Sequence, residues 1–378
     1  MSMPPDDDVR DLLALQLTPG LGPRLTTALL ERFGSARGAL AATASELSGI
    51  PRIGTNLADK LVRALARVNV AAELELLERH QTRLLVRDTP DYPSALASVE
   101  DAPHLLYLRG TLTIGDANAV GIVGSRHCTD YGRRVAARLA AGLVRAGVTI
   151  ISGLARGIDG VAHDAALKAG GRTIAVLAGG LSRIYPPEHA DLAKAVAASG
   201  GLVTEASMEQ EPQAGMFPAR NRIISGLSRA VVIVEAAERS GALITATHAG
   251  EQGRTVFAVP GAIDNAASAG TNALIRDGAI LCRGVDDILE ELHGVSEMAM
   301  RAKTAAAPAV QAAPIPPPDL DPVQRKVWDF LGGQVRTLDE MAQQLGTAVQ
   351  QLSATLMMLE MKKVVRRLPG NRYERCTQ

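Results

Sequence analysis

Short apolar segments alternate with longer amphipathic segments through the middle of the chain. The apolar segments consist of small and β-branched residues, which are typical of strands buried on both faces of a parallel sheet. The intervening segments repeat apolar residues every three or four positions, which predicts helices. The predicted strands lie near 119–123, 148–152, 173–178, 201–205, 230–235, 255–259 and 279–282. The predicted helices lie near 131–146, 158–169, 187–199, 219–227, 243–252, 272–277 and 285–293.

This alternation predicts an α/β fold, a Rossmann-like doubly wound sheet that is mostly parallel. The stretch before it is rich in turns and contains one further apolar segment, PHLLYLRG (103–110), which we expect to flank the sheet as a strand. We therefore expect residues 84–298 to form one extended Rossmann-like domain.

Residues 1–83 have a different pattern, which predicts a small helical domain. Two glycine-containing turns, 19–22 and 50–54, each precede an amphipathic helix and resemble the helix-hairpin-helix motif. Such hairpins either present backbone amides to a DNA phosphate or only pack the domain, and we favour packing. The basic side chains that could make a DNA contact here are Arg24, Arg52 and Lys60.

The pattern changes again after residue 298. Residues 299–320 are rich in alanine and proline without periodicity, which is typical of an extended linker. Residues 321–378 show three helical segments and a basic hairpin turning at Pro369-Gly370-Asn371, which together predict a winged helix. Its surface serves either DNA contact or protein contact. The candidate DNA-binding residues of this domain are Lys362, Lys363, Arg366 and Arg367.

Composition narrows the classes of function. The chain has 40 Lys and Arg against 40 Asp and Glu, so a nucleic-acid surface must be a local basic patch. Between Gly124 and Arg172 there are eight Lys or Arg against three Asp, and four of these arginines fall in one predicted helix. Three distant cysteines without ligand spacing predict no disulfide framework, no metal and no cofactor. We expect a cytoplasmic protein, since no stretch resembles a signal peptide or a membrane span.

The candidate site lies where the predicted strands end, because ligands of open α/β sheets bind beyond the carboxyl ends of the strands. Glycines in these loops allow close approach of backbone, arginines neutralise phosphates, and an aromatic ring can stack on a base. The sequence therefore predicts a crevice for a strand of nucleic acid. The candidate residues, taken in chain order from the successive loops, are Gly124, Ser125, Arg126, Arg156, Gly180, Phe217, Arg220, Asn221, Arg222 and Ser240.

Several polar and aromatic residues of these loops have structural interpretations that stay open. Asp159 at a helix start is typical of a cap rather than a catalyst. His163, inside a helical segment, is expected to be packed or hydrogen-bonded rather than to act as a base. Asn221 is expected to cap a helix or brace a loop. Phe217, which precedes a proline, either stacks on a base or anchors its loop in the core.

A set of motifs in fixed order resembles the DprA (Smf) family. They run from about Asp91 to Gly284 and read VGIVGSR, SGLARGID followed by AH at 162–163, YPPEH, FPARNRIISGLS, VVIVEA, SGALIT, FAVPG and GTNALIRDGA. The helical N-terminal domain and the winged helix are similar to accessory domains of DprA proteins.

The resemblance implies a dimeric, non-enzymatic protein that binds single-stranded DNA. It implies that the protein protects incoming DNA in natural transformation, displaces single-strand-binding protein and loads the RecA recombinase. It also implies a homodimer formed through roughly residues 240–290. The DNA pocket that it implies comprises Gly124, Ser125, Arg126, Arg156, Gly180 and the stretch from Phe217 to Arg222. Many family members carry a basic residue a few positions before the pocket phenylalanine, where this chain has Gln213.

Three other interpretations compete with this one. A nucleotide-processing enzyme of the phosphoribohydrolase type has a similar sheet, but its PGGxGTxxE loop corresponds here to SGALIT at 240–245, which has no glutamate. A nicotinamide-dependent dehydrogenase is disfavoured because GxGxxG is missing. A transcription regulator that reads duplex DNA through its winged helix remains an alternative.

Overall fold

The computed structural model describes residues 6–292, 320–331, 336–368 and 371–375. The chain divides into two compact units, residues 1–299 and 300–378. The predicted linker lies almost entirely outside the described residues, as do Pro369 and Gly370 of the predicted hairpin turn. Among the described residues, no helix is long and apolar enough to cross a membrane.

The N-terminal part of the first unit is helical, as predicted. Its helices are α1 (Asp7–Gln16), α2 (Pro23–Phe33), α3 (Ala36–Leu40), α4 (Ala44–Ser48), α5 (Thr55–Leu65) and α6 (Val70–Arg79). The two predicted hairpin turns join α1 to α2 and α4 to α5. Gly20 in the first turn has φ +93°, a left-handed conformation that glycine adopts without strain. The apolar side chains of these helices share one buried cluster with the adjoining face of the sheet.

A nine-stranded sheet forms the centre of the first unit. Its strands are β1 (Thr82–Val86), β2 (Leu105–Gly110), β3 (Ala119–Val123), β4 (Thr149–Ser152), β5 (Thr173–Val176), β6 (Gly201–Thr204), β7 (Ala230–Ile233), β8 (Thr255–Ala258) and β9 (Ile280–Leu281). The helices between them are α7 (Ser94–Ala97), α8 (Asp130–Arg145), α9 (Ile158–Lys168), α10 (Ala190–Ser199), α11 (Met216–Leu227), α12 (Gly241–Glu251) and α13 (Ala269–Arg276). A further helix, α14, begins at residue 285.

The strand order is β1-β2-β6-β5-β4-β3-β7-β8-β9. The strands from β3 onward are parallel, whereas β2 pairs antiparallel with β6 and β1 antiparallel with β2. The predicted doubly wound, mostly parallel sheet is confirmed. The order reverses at β3, which lies between β4 and β7, and such a switch point opens a crevice at the carboxyl edge.

The first strand was not predicted. Residues 82–86 were divided between the helical domain and a turn-rich stretch, and β1 extends across the expected boundary at 83/84. Two of its five side chains, Thr82 and Leu85, are buried and the other three are half-exposed or exposed, since this strand forms one edge of the sheet. A five-residue edge strand lacks the continuous apolar composition that revealed the central strands.

The second unit is a winged helix, as predicted. Its helices are α15 (Pro322–Leu331), α16 (Leu338–Leu345) and α17 (Val349–Met361), and its strands are β10 (Arg336–Thr337), β11 (Val365–Leu368) and β12 (Arg372–Arg375). Trp328, Leu331, Met341, Leu356 and Tyr373 are among the buried residues of its core. The wing is the antiparallel pair of β11 and β12, and β10 pairs with β12.

Candidate functional site

Two loops at the carboxyl edge of the sheet cross at Ser125 and Gly157. The carbonyl of Ser125 accepts a hydrogen bond from the amide of Ile158 at 3.2 Å. Gly157 has φ +75°, and a methyl group at its Cα would lie 2.2 Å from the Ser125 carbonyl oxygen. Only glycine fits both the conformation and this approach. The crossing therefore fixes Arg126 and Arg156 on adjacent loops.

Four side chains, from three loops and the start of α11, form a row with an arginine at each end and two aromatic rings between them. The Arg126 guanidinium lies 4.8 Å from the centre of the Phe217 ring. Phe217 meets Tyr185 edge to face, with ring centres 6.0 Å apart. Arg156 lies 6.0 Å from the centre of the Tyr185 ring. We call Arg126, Phe217, Tyr185 and Arg156 the cation–aromatic row.

The row answers the question left open for Phe217. Phe217 is half-buried and packs on Arg126 and Tyr185, which are both exposed, rather than anchoring its loop in the core. Tyr185 is 43% exposed and is not among the candidate site residues predicted from the sequence. The signal that could have found it is its place in a loop at the carboxyl end of a strand, beside Pro186 and close to the basic loop of Arg156.

A cavity of about 700 Å³ adjoins the row on the β7 side of the switch point. Among the described residues, neither Arg126 nor Arg239 forms a salt bridge, so two exposed guanidinium groups face this cavity without a paired carboxylate. We call this cavity the crevice. Its lining includes Gly124, Ser125, Arg126, Asp159, Phe217, Asn221, Arg239 and Ser240.

Arg156 differs from Arg126 because it has a carboxylate partner. Its Nε donates to Oε1 of Glu188, and both side chains are 49% exposed. The hydrogen bond with Glu188 raises the pKa of Arg156. An exposed pair of this kind contributes little free energy, so an incoming phosphate can replace the carboxylate at low cost.

Asp159 braces the loop after β4. Its Oδ2 accepts hydrogen bonds from the amides of Gly153 at 3.1 Å and Ala155 at 3.4 Å. Burial raises the pKa of this carboxyl, while the nearby charge of Arg220 lowers it. The bonded amides precede α9, whose N-cap is Gly157, so Asp159 orders the loop rather than capping its own helix.

Arg220 is buried, although it contributes to the lining of the crevice. Its Nη1 donates to the carbonyl of Gly153 at 2.6 Å and to the carbonyl of Val176. A methyl group at Gly153 would lie 2.1 Å from the same nitrogen. Burial lowers the pKa of Arg220 to about 10, so the group stays charged at neutral pH. Arg220 therefore ties the ends of β4 and β5 to α11.

Arg222 lies outside the lining of the crevice. It is 5% exposed and pairs with Glu205 at 2.5 Å and with Asp101 at 3.6 Å. It lines a separate cavity of about 530 Å³, to which α1 and α2 contribute. Its neighbour Asn221 donates from Nδ2 to the carbonyl of Gly241 at 3.2 Å, which is the loop-bracing role considered above.

The small residues of the site serve mainly to position the loops. The amide of Ser125 donates to the carbonyl of Glu235 at 2.8 Å. The amide of Gly180 donates to the carbonyl of Gln210, also at 2.8 Å. These two amides are therefore already hydrogen-bonded within the protein. A methyl group at Gly180 would lie 2.1 Å from two carbonyl oxygens, so this buried glycine is required for packing. Ser240 caps α12 by accepting from the amide of Ala242.

His163 is fully buried, which agrees with a packed histidine. Its Nδ1 lies 2.7 Å from Oγ1 of Thr173. Burial lowers the pKa of His163 to about 3, so the ring is neutral at physiological pH. The part of the chain that the structure describes contains no group of three His, Cys, Asp or Glu side chains able to hold a metal ion.

The nominated residues of the winged helix are exposed on their own unit. The Lys362 ammonium donates to Gln324 at 3.0 Å, and Arg366 pairs with Glu374 on the facing strand. Arg367 donates to Asn371 at 2.5 Å, and Lys363 has φ +57° in the turn before the wing. Lys362 and Lys363 follow the end of α17, and Arg366 and Arg367 lie on β11, where successive side chains point to opposite faces of the strand.

Arg375, at the end of β12 in the wing, has a different environment. It lies 3.3 Å from the centre of the Trp328 ring and donates to the Trp328 carbonyl at 2.6 Å. Its side chain is 8% exposed, so it stabilises the core of the winged helix.

The three parts of the chain match known families. A family described as DNA recombination-mediator protein A matches residues 83–293. The DprA winged helix domain matches residues 311–371, and a SAM-like helix-hairpin-helix tandem matches residues 9–67.

Curated proteins and solved structures are similar to between about half and nearly all of the chain. Protein Smf of Synechocystis sp. is 34% identical over 388 residues, covering 96% of this chain and 98% of that protein. DNA processing protein DprA of Bacillus subtilis is 47% identical over 202 residues, covering 53% of this chain and 68% of that protein. The X-ray structure of DprA from Streptococcus pneumoniae matches with a TM-score of 0.65 and 32% identity, covering 77% of this chain and 99% of that one.

A structure that describes the single-stranded DNA binding mode of DNA processing protein A from Helicobacter pylori matches with a TM-score of 0.51 and 29% identity. It covers 57% of this chain and 96% of that one. One family model spans more than half of this chain, and a relative above 30% identity aligns along nearly all of it. The chain therefore belongs to the DprA/Smf family of DNA processing proteins.

Proposed function

We propose that this protein binds single-stranded DNA in the crevice at the β3 switch point. The observation that carries the proposal is the cation–aromatic row, in which two arginines and two aromatic rings lie side by side at the carboxyl edge of the sheet. The relative from Helicobacter pylori, which has a single-stranded DNA binding mode, supports the same ligand.

The row suits a single strand because it offers both kinds of contact that such a strand needs. Phosphates are neutralised by Arg126 and Arg156, and by Arg239 across the crevice. A base that is not paired can stack on Tyr185 or Phe217, which a base inside a duplex cannot do. Stacking and charge together give affinity with little dependence on sequence.

The test compares strand types and single substitutions by fluorescence anisotropy. Wild-type protein is expected to bind a labelled oligothymidylate more tightly than a duplex of the same length. Arg126→Ala is expected to weaken binding and to lower the slope of log affinity against log salt by about 0.7, because one phosphate contact is lost. Phe217→Ala is expected to cost about 1–3 kcal/mol of binding free energy if a base stacks there.

Arg79→Ala provides the matched control, because Arg79 is an exposed arginine at the end of α6, outside the crevice lining. Its affinity and salt slope should equal those of the wild type. Unchanged binding in both crevice variants would remove the row from the site, and tighter binding to duplex would favour the regulator interpretation.

We further propose that the protein acts without catalysis as a recombination mediator. Two acids near the carboxyl edge already accept backbone hydrogen bonds, Asp159 from Gly153 and Glu235 from Thr129 at 2.8 Å. Neither is placed as an exposed base. Incubation with nucleoside monophosphates should release no ribose 5-phosphate; release that depends on Asp159 would establish the phosphoribohydrolase alternative instead.

The mediator role implies two protein partners, RecA recombinase and single-strand-binding protein. The description of the matching family as a recombination mediator supports this role. The protein is expected to speed RecA assembly on DNA covered by single-strand-binding protein. The crevice variant Arg126→Ala should lose this acceleration of RecA assembly in proportion to its loss of DNA affinity. Acceleration that does not depend on DNA binding would contradict the mediator role.

We also propose a homodimer formed through residues 240–290. Strand β9 is an edge of the sheet, and its Ile280 and Leu281 are 38% and 40% exposed. Exposed apolar edge strands tend to be covered by another chain. Light scattering should give twice the monomer mass, and Ile280→Lys with Leu281→Lys should give monomers. Ile114→Lys, at a 96% exposed isoleucine outside this region, is the control.

A further inference from the structure

Helix α8 carries a basic surface that the crevice does not use. The helix starts four residues after Arg126 and is about 24 Å long, from 16 residues at 1.5 Å each. Its buried side is formed by Val135, Ala136, Leu139, Ala140 and Leu143. With 3.6 residues per turn, the opposite side carries Arg134, Arg138 and Arg145 in one row, and all three are exposed.

This arginine row has no carboxylate partners. Within the described residues, none of Arg134, Arg138 and Arg145 forms a salt bridge. Two acids on the helices that flank α8 are already paired, Asp164 with Lys168 at 2.6 Å and Asp287 with Arg283 at 2.6 Å. Helix α8 itself carries four arginines against one aspartate, Asp130. Asp130 lies in the first turn, where its negative charge interacts favourably with the helix dipole.

The chemistry of this surface points to a polyanion. Like charges repeated along a helix face repel one another, which destabilises the folded protein. In a chain of zero net charge, this repulsion brings no benefit for folding. The one exposed large apolar residue on α8 is Tyr131, at the end nearest the crevice, so a protein partner would find little to bury along the row. A phosphate chain needs only the charges.

We propose that the solvent face of α8 is a second DNA-contact surface, which holds the phosphate backbone of the same single strand after it leaves the crevice at Arg126. This inference rests on the proposed function. The crevice holds bases and phosphates together, whereas the arginine row attracts phosphates by charge alone. Strands too short to extend beyond the crevice gain nothing from α8, and longer strands gain affinity that is strongly sensitive to salt.

The experiment uses the full chain with oligothymidylates of two lengths, about six and about thirty nucleotides, so that one is confined to the crevice. The variant combines Arg134→Glu, Arg138→Glu and Arg145→Glu. Its affinity for the short strand is expected to equal that of the wild type. Its affinity for the long strand should fall at least about tenfold, and the salt slope should fall by about two, because three contacts at about 0.7 each are lost.

A second variant with lysine at the same three positions keeps the charges and serves as the matched control. It should bind both lengths like the wild type, and both variants should unfold at the wild-type temperature. Wild-type binding of the long strand by the glutamate variant would overturn the inference, as would an equal loss for both lengths. If wild-type protein binds neither length, the proposed function fails, whereas loss confined to Arg126→Ala refutes only the role of α8.

Discussion

The arginines at the carboxyl edge of the sheet differ in burial, and burial decides what each one does. Arg126 is exposed over the Phe217 ring, whereas Arg220 is buried with its Nη1 on two backbone carbonyls. A guanidinium group at the surface can exchange its partners for a phosphate. A buried one cannot leave without exposing unpaired carbonyls, so it contributes to stability instead.

Arg220→Met tests this division. The substitution removes a buried donor from the carbonyls of Gly153 and Val176 and leaves Asp159 without its nearby positive charge. We expect a loss of about 2–4 kcal/mol in the free energy of unfolding, measured by urea denaturation. Arg79→Ala should change it by less than about 0.5 kcal/mol. Equal stability of both variants would show that Arg220 is not a structural residue.

His163 makes stability depend on pH. Its pKa is lowered to about 3 in the folded protein, so the unfolded chain binds a proton at higher pH than the folded one. Stability from the neutral ring is complete above the unfolded pKa of about 6.5 and is lost as pH falls toward about 3. Between these values the free energy of unfolding should fall by about 1.4 kcal/mol per pH unit.

His163→Gln should reduce that slope, because glutamine does not titrate. The comparison of the two slopes by urea denaturation between pH 6.5 and 4 isolates this residue from the carboxyl groups, which are the same in both proteins. Parallel pH profiles would mean that the pKa of His163 is the same in the folded and unfolded states, against the burial seen here.

Individual elements are held by contacts between loops that are distant in sequence. The loops after β3 and β4 meet where Gly157 lies against the Ser125 carbonyl, and the row depends on this contact. Helix α11 contributes both Phe217 and, one turn later, buried Arg220, so its position sets the aromatic ring and the support beside it.

Gly157→Ala and Gly170→Ala form a matched pair at this scale. Both glycines have positive φ, +75° and +76°, but Gly170 has open space around its Cα, whereas Gly157 has none. Alanine at Gly170 should cost about 1–2 kcal/mol of stability and leave DNA affinity unchanged. Alanine at Gly157 should cost more and should also weaken single-strand binding, because the loops move apart. Equal effects on affinity would show that the loop crossing does not order the site.

Within the first unit, the N-terminal helices share the core of the sheet. Buried side chains of α1, α2 and α5 lie in one cluster with Tyr107 and Leu202 of the strands. Polar contacts join the same parts, since Gln16 donates to the Glu205 carbonyl at 2.9 Å and Glu73 accepts from the Met208 amide at 2.7 Å. These helices therefore support the sheet, which fits the packing interpretation of the hairpins.

Truncation separates the contributions of the two ends. Removal of residues 300–378, which form their own compact unit, should leave a folded protein that retains the crevice-dependent affinity for single strands. Removal of residues 1–80 should expose apolar side chains such as Leu177 and Leu202 and give a less stable, aggregating protein. Gel-shift assays and thermal unfolding measure both effects. A stable sheet domain without residues 1–80 would contradict the shared core.

The helical N-terminal region, the mostly parallel sheet and the winged helix could all be predicted from the sequence alone. Apolar periodicity and glycine breaks are local properties, so β3 to β8 and α8 to α12 could be predicted within a few residues. The ordered motifs then indicated the family. Tertiary structure alone decided which side chains reach solvent, because burial depends on neighbours distant in the chain. It placed Tyr185 beside Phe217, buried Arg220 and Arg222, and paired the amides of Ser125 and Gly180.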